Sequence, residues 1–177
     1  MSKQKRKSAS LIWITGLPGS GKTTLAQALY NALKDATPCV VIDGDAVREI
    51  MGHDLGYNTK DRLSNAYRIA RLNKYLIGHN LTVICATVSL FKEIHAWNRK
   101  HIPHLVEIYI EAAMETLIAR DQRKMYSRAA RGTQKNVRGF DQSFDIPEKP
   151  DFIIRNDSNL NEFLGHIPMI IKATNSK

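Results

Sequence analysis

Two stretches of this chain carry residue types and spacings that can do chemistry: "GLPGSGKTT" from Gly16 to Thr24 and "VVIDGDAVR" from Val40 to Arg48. The first fits the pattern G-x-x-x-x-G-K-[ST] at Gly16, Gly21, Lys22 and Thr23. Glycines at these positions let the backbone wrap a phosphate chain with its N–H groups pointing inward. The helix that follows turns its positive end on the same anion. The residues that would grip a nucleoside triphosphate are Gly16, Leu17, Pro18, Gly19, Ser20, Gly21, Lys22, Thr23 and Thr24. In that arrangement Lys22 bridges the β- and γ-phosphates and the Thr23 hydroxyl ligates Mg²⁺. A glycine-rich turn without a ligand is the plainer alternative. It would leave Lys22 in a nest of N–H groups with no anion to justify it.

The second stretch ends an apolar run with two acids, Asp43 and Asp45, and places Arg48 three residues on. In a doubly wound sheet, ligands gather at the carboxyl ends of the strands. A carboxylate there can take the proton of an attacking hydroxyl or hold a metal's waters. Arg48, about one helical turn beyond Asp45, can pair with an anionic acceptor. A purely structural role is also open, with Asp45 as the N-cap of a helix beginning at "AVREIM". Neither a DxxG switch element nor an NKxD motif is present, which speaks against a GTPase. A short chain with one basic, irregular insertion suits a small-molecule kinase.

These groups need elements to hold them. Short apolar runs alternate with stretches of helical period. "LIWIT", "CVVID", "LTVICAT", "HLVEIYI" and "PDFIIRND" read as five strands. Helices are expected over "GKTTLAQALYNALKDA", "DRLSNAYRIARLNKYLIGHN", "LFKEIHAWNRKH" and "NLNEFLGHIPMIIKA", with "AMETLIARDQRKMYSRAARG" as a helix or broken helix. In the second of these, Leu63, Tyr67, Ala70, Lys74 and Ile77 fall on one line. The alternation predicts an α/β fold: a doubly wound, five-stranded, mostly parallel sheet with helices on both faces. The glycine-containing basic segment at about residues 121–148 reads as a lid.

Composition narrows the class. The chain has 177 residues, 43% of them hydrophobic and 24% charged, enough for one globular domain over residues 11–177. Four of its nine net positive charges, on Lys3, Lys5, Arg6 and Lys7, lie in residues 1–10, read as a solvated, mobile tail. The five that remain suit a protein handling several phosphates. No stretch approaches the ~20 apolar residues of a membrane span, and the basic start lacks a signal-like apolar core. Cys39 and Cys85 sit in apolar runs and read as reduced thiols of a cytoplasmic protein. The six histidines show no metal spacing. Neither membrane nor nucleic acid is expected as a partner.

The residues now carry a resemblance. "GLPGSGKTTLA", "IDGDAVR", "DLGY", "DRLSNAYR", "ATVSLFK", "RDQRKMYSRAARG" and "GFDQSFDIPEKPD" follow one another as in the adenylyl-sulfate kinases, from Leu11 to Asp157. That family uses MgATP to phosphorylate the 3′-hydroxyl of adenosine 5′-phosphosulfate. The resemblance implies a P-loop kinase fold, Asp45 as base, and Lys22 with Mg²⁺ and lid arginines offsetting charge on the moving phosphoryl group. It implies acceptor contacts from Asp43, Arg48, Tyr57, Arg62, Asn65 and Ser89. It implies an ATP contact at Arg120 and a lid containing Lys124, Arg128 and Arg131. It also implies a homodimer.

The chain departs from the family pattern on the acceptor side. "SNAYR" has Ser64 and Tyr67 for a glutamate and an arginine. "TVSLFK" has Thr87, Leu90 and Lys92 for a phenylalanine, a proline and an arginine. "VRG" places Val137 where the family has one of two aromatics that sandwich the acceptor's adenine, leaving Tyr57 as the other. Stacking is worth about 1–3 kcal/mol per base, so the change weakens adenine preference. Phe140 is a substitute if the lid shifts. A branch resembling the family phosphorylates cytidine diphosphoramidate, and a pyrimidine suits a pocket with one aromatic wall. The expected activity is therefore phosphorylation of adenylyl sulfate or of such a related nucleotide. The remaining alternatives are another P-loop small-molecule kinase and a non-catalytic nucleotide-binding module.

Overall fold

The computed structural model describes residues 9–121 and 124–177. The basic run at Lys3, Lys5, Arg6 and Lys7 lies outside them, as do two positions of the expected lid, Gln122 and Arg123. Five strands form one sheet: β1 (Leu11–Gly16), β2 (Cys39–Asp43), β3 (Thr82–Thr87), β4 (Leu105–Glu111) and β5 (Phe152–Arg155). Their spatial order is β2-β3-β1-β4-β5, and every pairing is parallel rather than most of them. Central strands β1 and β3 are buried along their whole length. This is why their sequences run apolar without alternation.

Helices cover both faces. Residues Leu25, Ala26, Leu29 and Leu33 of α1 (Lys22–Leu33) pack on Ile12, Ile14, Ile84 and Ile108. They are joined there by Phe163 of α7 (Leu160–Leu164) and Ile170 of α8 (Ile167–Ser176). The opposite face, carrying Leu11, Trp13, Val83 and Cys85, meets three helices. These are α2 (Gly44–Ile50) through Val47, α3 (Thr59–Gly78) through Ala66 and Ile69, and α4 (Lys92–His101) through Ile94. Each fully buried aliphatic side chain stabilises by about 1.5–3 kcal/mol. A third cluster joins Leu17 of the glycine-rich loop to Leu117 of α5 (Met114–Arg120). It also contains Tyr126 and Ala129 of α6 (Met125–Ala130), and Val137.

Some helix details differ from the sequence expectation. Helix α3 starts two residues early because Asn58 caps it, its Oδ1 accepting from the Asp61 N–H at 2.9 Å. Its buried line is Asn65, Ala66, Ile69, Ala70 and Asn73, while Lys74 is exposed. Two asparagines sit on the inner face, which a hydrophobic count passes over. The closing helix is two, parted at Gly165, with a proline in the first turn of α8. Glu107 of β4 is an almost fully buried carboxylate, bonded to His95 Nδ1 at 2.6 Å and ion-paired to Arg99. It anchors α4 to the sheet.

Candidate active site

The carboxyl ends of β1, β2 and β3, the start of α1 and the expected lid border one cavity of about 950 Å³. That is near the upper end for small-molecule sites, about 300–1,000 Å³, and suits two substrates side by side. On the donor side it is lined by Pro18, Gly19, Gly21, Lys22, Thr23 and Thr24. Gly16, Leu17 and Ser20 of the same loop do not line it. Leu17 is buried in the third cluster, and the Ser20 carbonyl accepts from Asn156 Nδ2 at 2.8 Å. Gly21 takes a φ of 101°, and a Cβ there would meet Asn156 Nδ2 at 2.5 Å, so glycine is required on two counts. Lys22 Nζ donates to the Leu17 carbonyl at 2.8 Å, which holds its ammonium within the loop.

Asp43 ends β2 and uses its two oxygens differently. Oδ1 accepts from the Asp45 N–H at 2.8 Å, and Oδ2 accepts from the Thr23 hydroxyl at 3.1 Å. The N-cap of α2 is therefore Asp43, not Asp45. A cap sits where the chain leaves the strand, and that residue comes two positions earlier than the sequence reading placed it. Asp45, relieved of capping, lies in the first turn of α2 and lines the cavity. Gly44 between them lets α2 approach β3, since a Cβ there would lie 3.0 Å from Thr87 Oγ1.

Arg48, Tyr57, Arg62, Asn65 and Ser89 line the acceptor side. Arg48 is only 6% exposed, and its Nη1 donates to the carbonyls of Leu55 and Gly56 at 3.0 and 3.1 Å. Its guanidinium lies 4.6 Å from the centre of the Tyr57 ring, so part of its work is to hold the "DLGY" turn in place. Arg62 donates through Nε to the Tyr57 carbonyl at 2.8 Å and through Nη2 to the Asn136 carbonyl at 2.7 Å. It thereby clips the start of α3 to the lid segment. Burial pushes the Arg62 guanidinium below its ordinary value, and Arg138 and Arg48 nearby add to the shift. Asn65 is 5% exposed, and its Oδ1 has no hydrogen-bond partner among the described residues. Ser89 Oγ lies 2.7 Å from Thr87 Oγ1.

Several expected site residues fall elsewhere. Val137 is fully buried in the third cluster and does not line the cavity; its neighbours Asn136 and Arg138 do. An aliphatic side chain at this position turns into the core, where it lowers the free energy most. Phe140 is half exposed and away from the cavity. Lys124 and Arg131 are exposed and do not line it either. Lys124 precedes α6 with a φ of 52°, and Arg131 Nε donates back to the Ser127 carbonyl at 3.2 Å. Arg128 and Arg120 do reach the cavity.

Gln134, Lys135, Asn136 and Arg138, within the lid expected from the sequence, line the cavity too, and Phe91, Asn156, Ser158, Leu160 and Phe163, which the sequence reading did not single out, complete the walls. Asn156 follows β5 and was legible from the rule that strand tips face ligands. Arg138 was not, because nothing in the sequence says which lid side chain turns inward.

The oxygen donors at Thr23 and Asp43 are hard ligands of the kind that suit Mg²⁺, which takes one or two protein groups with substrate phosphates. Among the described residues no group of three or more His, Cys, Asp or Glu could hold a metal, and no helix is long and apolar enough to cross a membrane.

Comparison with known proteins follows the same lines. Residues 8–155 match the family model described as Adenylylsulphate kinase. The cytidine diphosphoramidate kinase of Campylobacter jejuni is 43% identical over 163 residues, covering 92% of this chain and 94% of that protein. The adenylyl-sulfate kinase of Chloroflexus aurantiacus is 36% identical over 163 residues, covering 91% and 88%. The Mycobacterium tuberculosis APS kinase, solved in complex with AMPPNP and APS, superposes with a TM-score of 0.84 at 25% identity, covering 93% of this chain and 98% of that one.

Proposed function

The chain belongs to the adenylylsulphate kinase family and is an ATP-dependent kinase, and from that premise we propose that it phosphorylates the 3′-hydroxyl of an activated nucleotide. The acceptor is adenylyl sulfate or a relative such as cytidine diphosphoramidate. The observation that carries this reading is the shared cavity, with Lys22 and Thr23 at one end and Asp45, Arg48, Tyr57 and Arg62 at the other.

Asp45 aligns the attacking hydroxyl and takes its proton late, as the phosphoryl group moves. Lys22 leaves the Leu17 carbonyl for the donor's phosphates, and the loop's N–H groups cradle them. Thr23 and Asp43 would hold Mg²⁺, which supplies charge neutralisation on the phosphate oxygens when bound. Arg120 and Arg128 contact the donor from above. Arg48 and Arg62 meet the anionic end of the acceptor, and Tyr57 stacks on its base. Residues 121–148 act as the lid of one domain over residues 11–177. A cytoplasmic homodimer completes the reading, in line with the family resemblance.

The test is direct. The protein is incubated with MgATP and, in turn, adenylyl sulfate and cytidine diphosphoramidate, and mass spectrometry follows the acceptor. One acceptor gains a single phosphoryl group. If neither does, the reading fails.

A further inference from the structure

Arg138 is a closely held cation of the cavity wall. It is 3% exposed, and its guanidinium lies 4.2 Å from the centre of the Phe91 ring. Nη1 donates to the Ser143 carbonyl, which fixes the plane of the group. Nε has no acceptor among the described residues. Among the described residues the side-on edge, where Nε–H and an Nη2–H point the same way, has no protein partner, and Nε is enclosed, so a ligand meets that edge once the lid segment shifts. Burial pushes this guanidinium below its ordinary value, with Asp145 opposing the shift, so the side chain gains from an acceptor brought by a ligand. Beside Val137, which supplies no aromatic wall, the cavity thus has a flat, donor-only group lying over Phe91.

We propose that Arg138 selects a pyrimidine acceptor by presenting that edge to the ring carbonyl O2 and the adjacent ring nitrogen N3 of cytosine. A side-on guanidinium needs two neighbouring acceptors, the geometry by which arginine reads guanine O6 and N7. Cytosine offers O2 beside N3. Adenine has no ring carbonyl, and both N1 and N7 lie next to its 6-amino donor, which opposes a second N–H. In uracil, N3 carries a proton and faces the fork with a donor. The inference rests on the activated-nucleotide reading above and names the base that the pocket takes.

The experiment measures kcat and KM for cytidine diphosphoramidate and adenylyl sulfate at saturating MgATP, in wild type, Arg138→Thr and Arg138→Lys. Thermal unfolding of each variant is recorded in parallel. Arg138→Thr raises KM for the cytidine acceptor about tenfold or more, while KM for adenylyl sulfate and for ATP stays within about twofold. Arg138→Lys does not restore it, because an ammonium lacks the planar fork. Equal losses on both acceptors, no change on either, or rescue by lysine each overturn the inference. Should the variants fail to fold, calorimetry on the wild type decides: CMP binds more tightly than UMP and AMP, and the reverse order overturns the inference. A wild type that phosphorylates neither acceptor sinks the kinase reading itself. One that prefers adenylyl sulfate sinks only the role of Arg138.

Discussion

The Tyr126 hydroxyl donates to the Pro18 carbonyl at 2.9 Å, tying α6 to the phosphate loop across 108 positions of sequence. Tyr126 is 2% exposed and shares a cluster with Leu17 and Val137, so loop, α6 and lid segment pack as one body. Tyr126→Phe keeps the ring and removes the bond. Thermal unfolding should report a loss of about 0.5–1.5 kcal/mol. Steady-state kinetics should show a raised KM for ATP with little change for the acceptor. A change confined to the acceptor would contradict the coupling.

Asp45 lines the cavity while Asp43 does the capping. Asp45→Asn should therefore leave the fold and ATP binding intact and lower kcat by about 10²–10⁴-fold, the range for losing a general base. Calorimetric titration with an ATP analogue and a turnover assay on the same preparation separate the two effects. Turnover within a few-fold of wild type would remove Asp45 from the chemistry.

Val137 has no room to grow, being fully buried beside Leu17, Leu90 and Tyr126. Val137→Phe should lower stability by about 1–3 kcal/mol through overpacking. It should not restore a preference for adenylyl sulfate. Denaturant unfolding and the ratio of kcat/KM for the two acceptors measure the pair. A stable variant that now favours adenine would mean the side chain can swing into the cavity.

Burial pushes the Cys85 thiol up to about 12 from 9.0, and burial with Asp121 beside it pushes Tyr126 up to about 12 from 10.0. Both groups ionise earlier in the unfolded chain than in the folded one. Their contribution to stability is complete below pH 9 and is lost as pH rises from there to about 12. At the acid end the sign reverses. The paired hydrogen bonds to Arg68, both 2.8 Å, hold the Asp54 carboxyl below its ordinary 3.8. That stability is present above pH 3.8 and fades as pH falls. Thermal unfolding across the pH range checks both flanks. A thiol reagent at pH about 8 should modify Cys39 in the native protein and Cys85 only after unfolding.

Strand sequences such as "LIWIT" and "LTVICAT" were legible because both faces of the sheet are covered, so their patterns are continuous. The P-loop and the "DGD" element were legible because phosphate cradles and strand-tip carboxylates follow fixed local geometry. The inward face of α3 was less so, since Asn65 and Asn73 are polar yet buried. The lid was least legible. Whether Val137, Arg138 or Arg131 turns toward the substrates depends on packing against Leu17 and Phe91, which lie far away in sequence and are brought close only by the fold.

Asp43 grips Thr23 with one oxygen and the start of α2 with the other. The two half-sites are therefore not independent compartments. A donor that drew Thr23 away from Asp43 would also move the carboxylate that caps α2, the helix carrying Asp45 and Arg48, and an acceptor that moved α2 would act back on Thr23. Such a coupling would be reciprocal, each nucleotide changing the affinity of the other by one common factor.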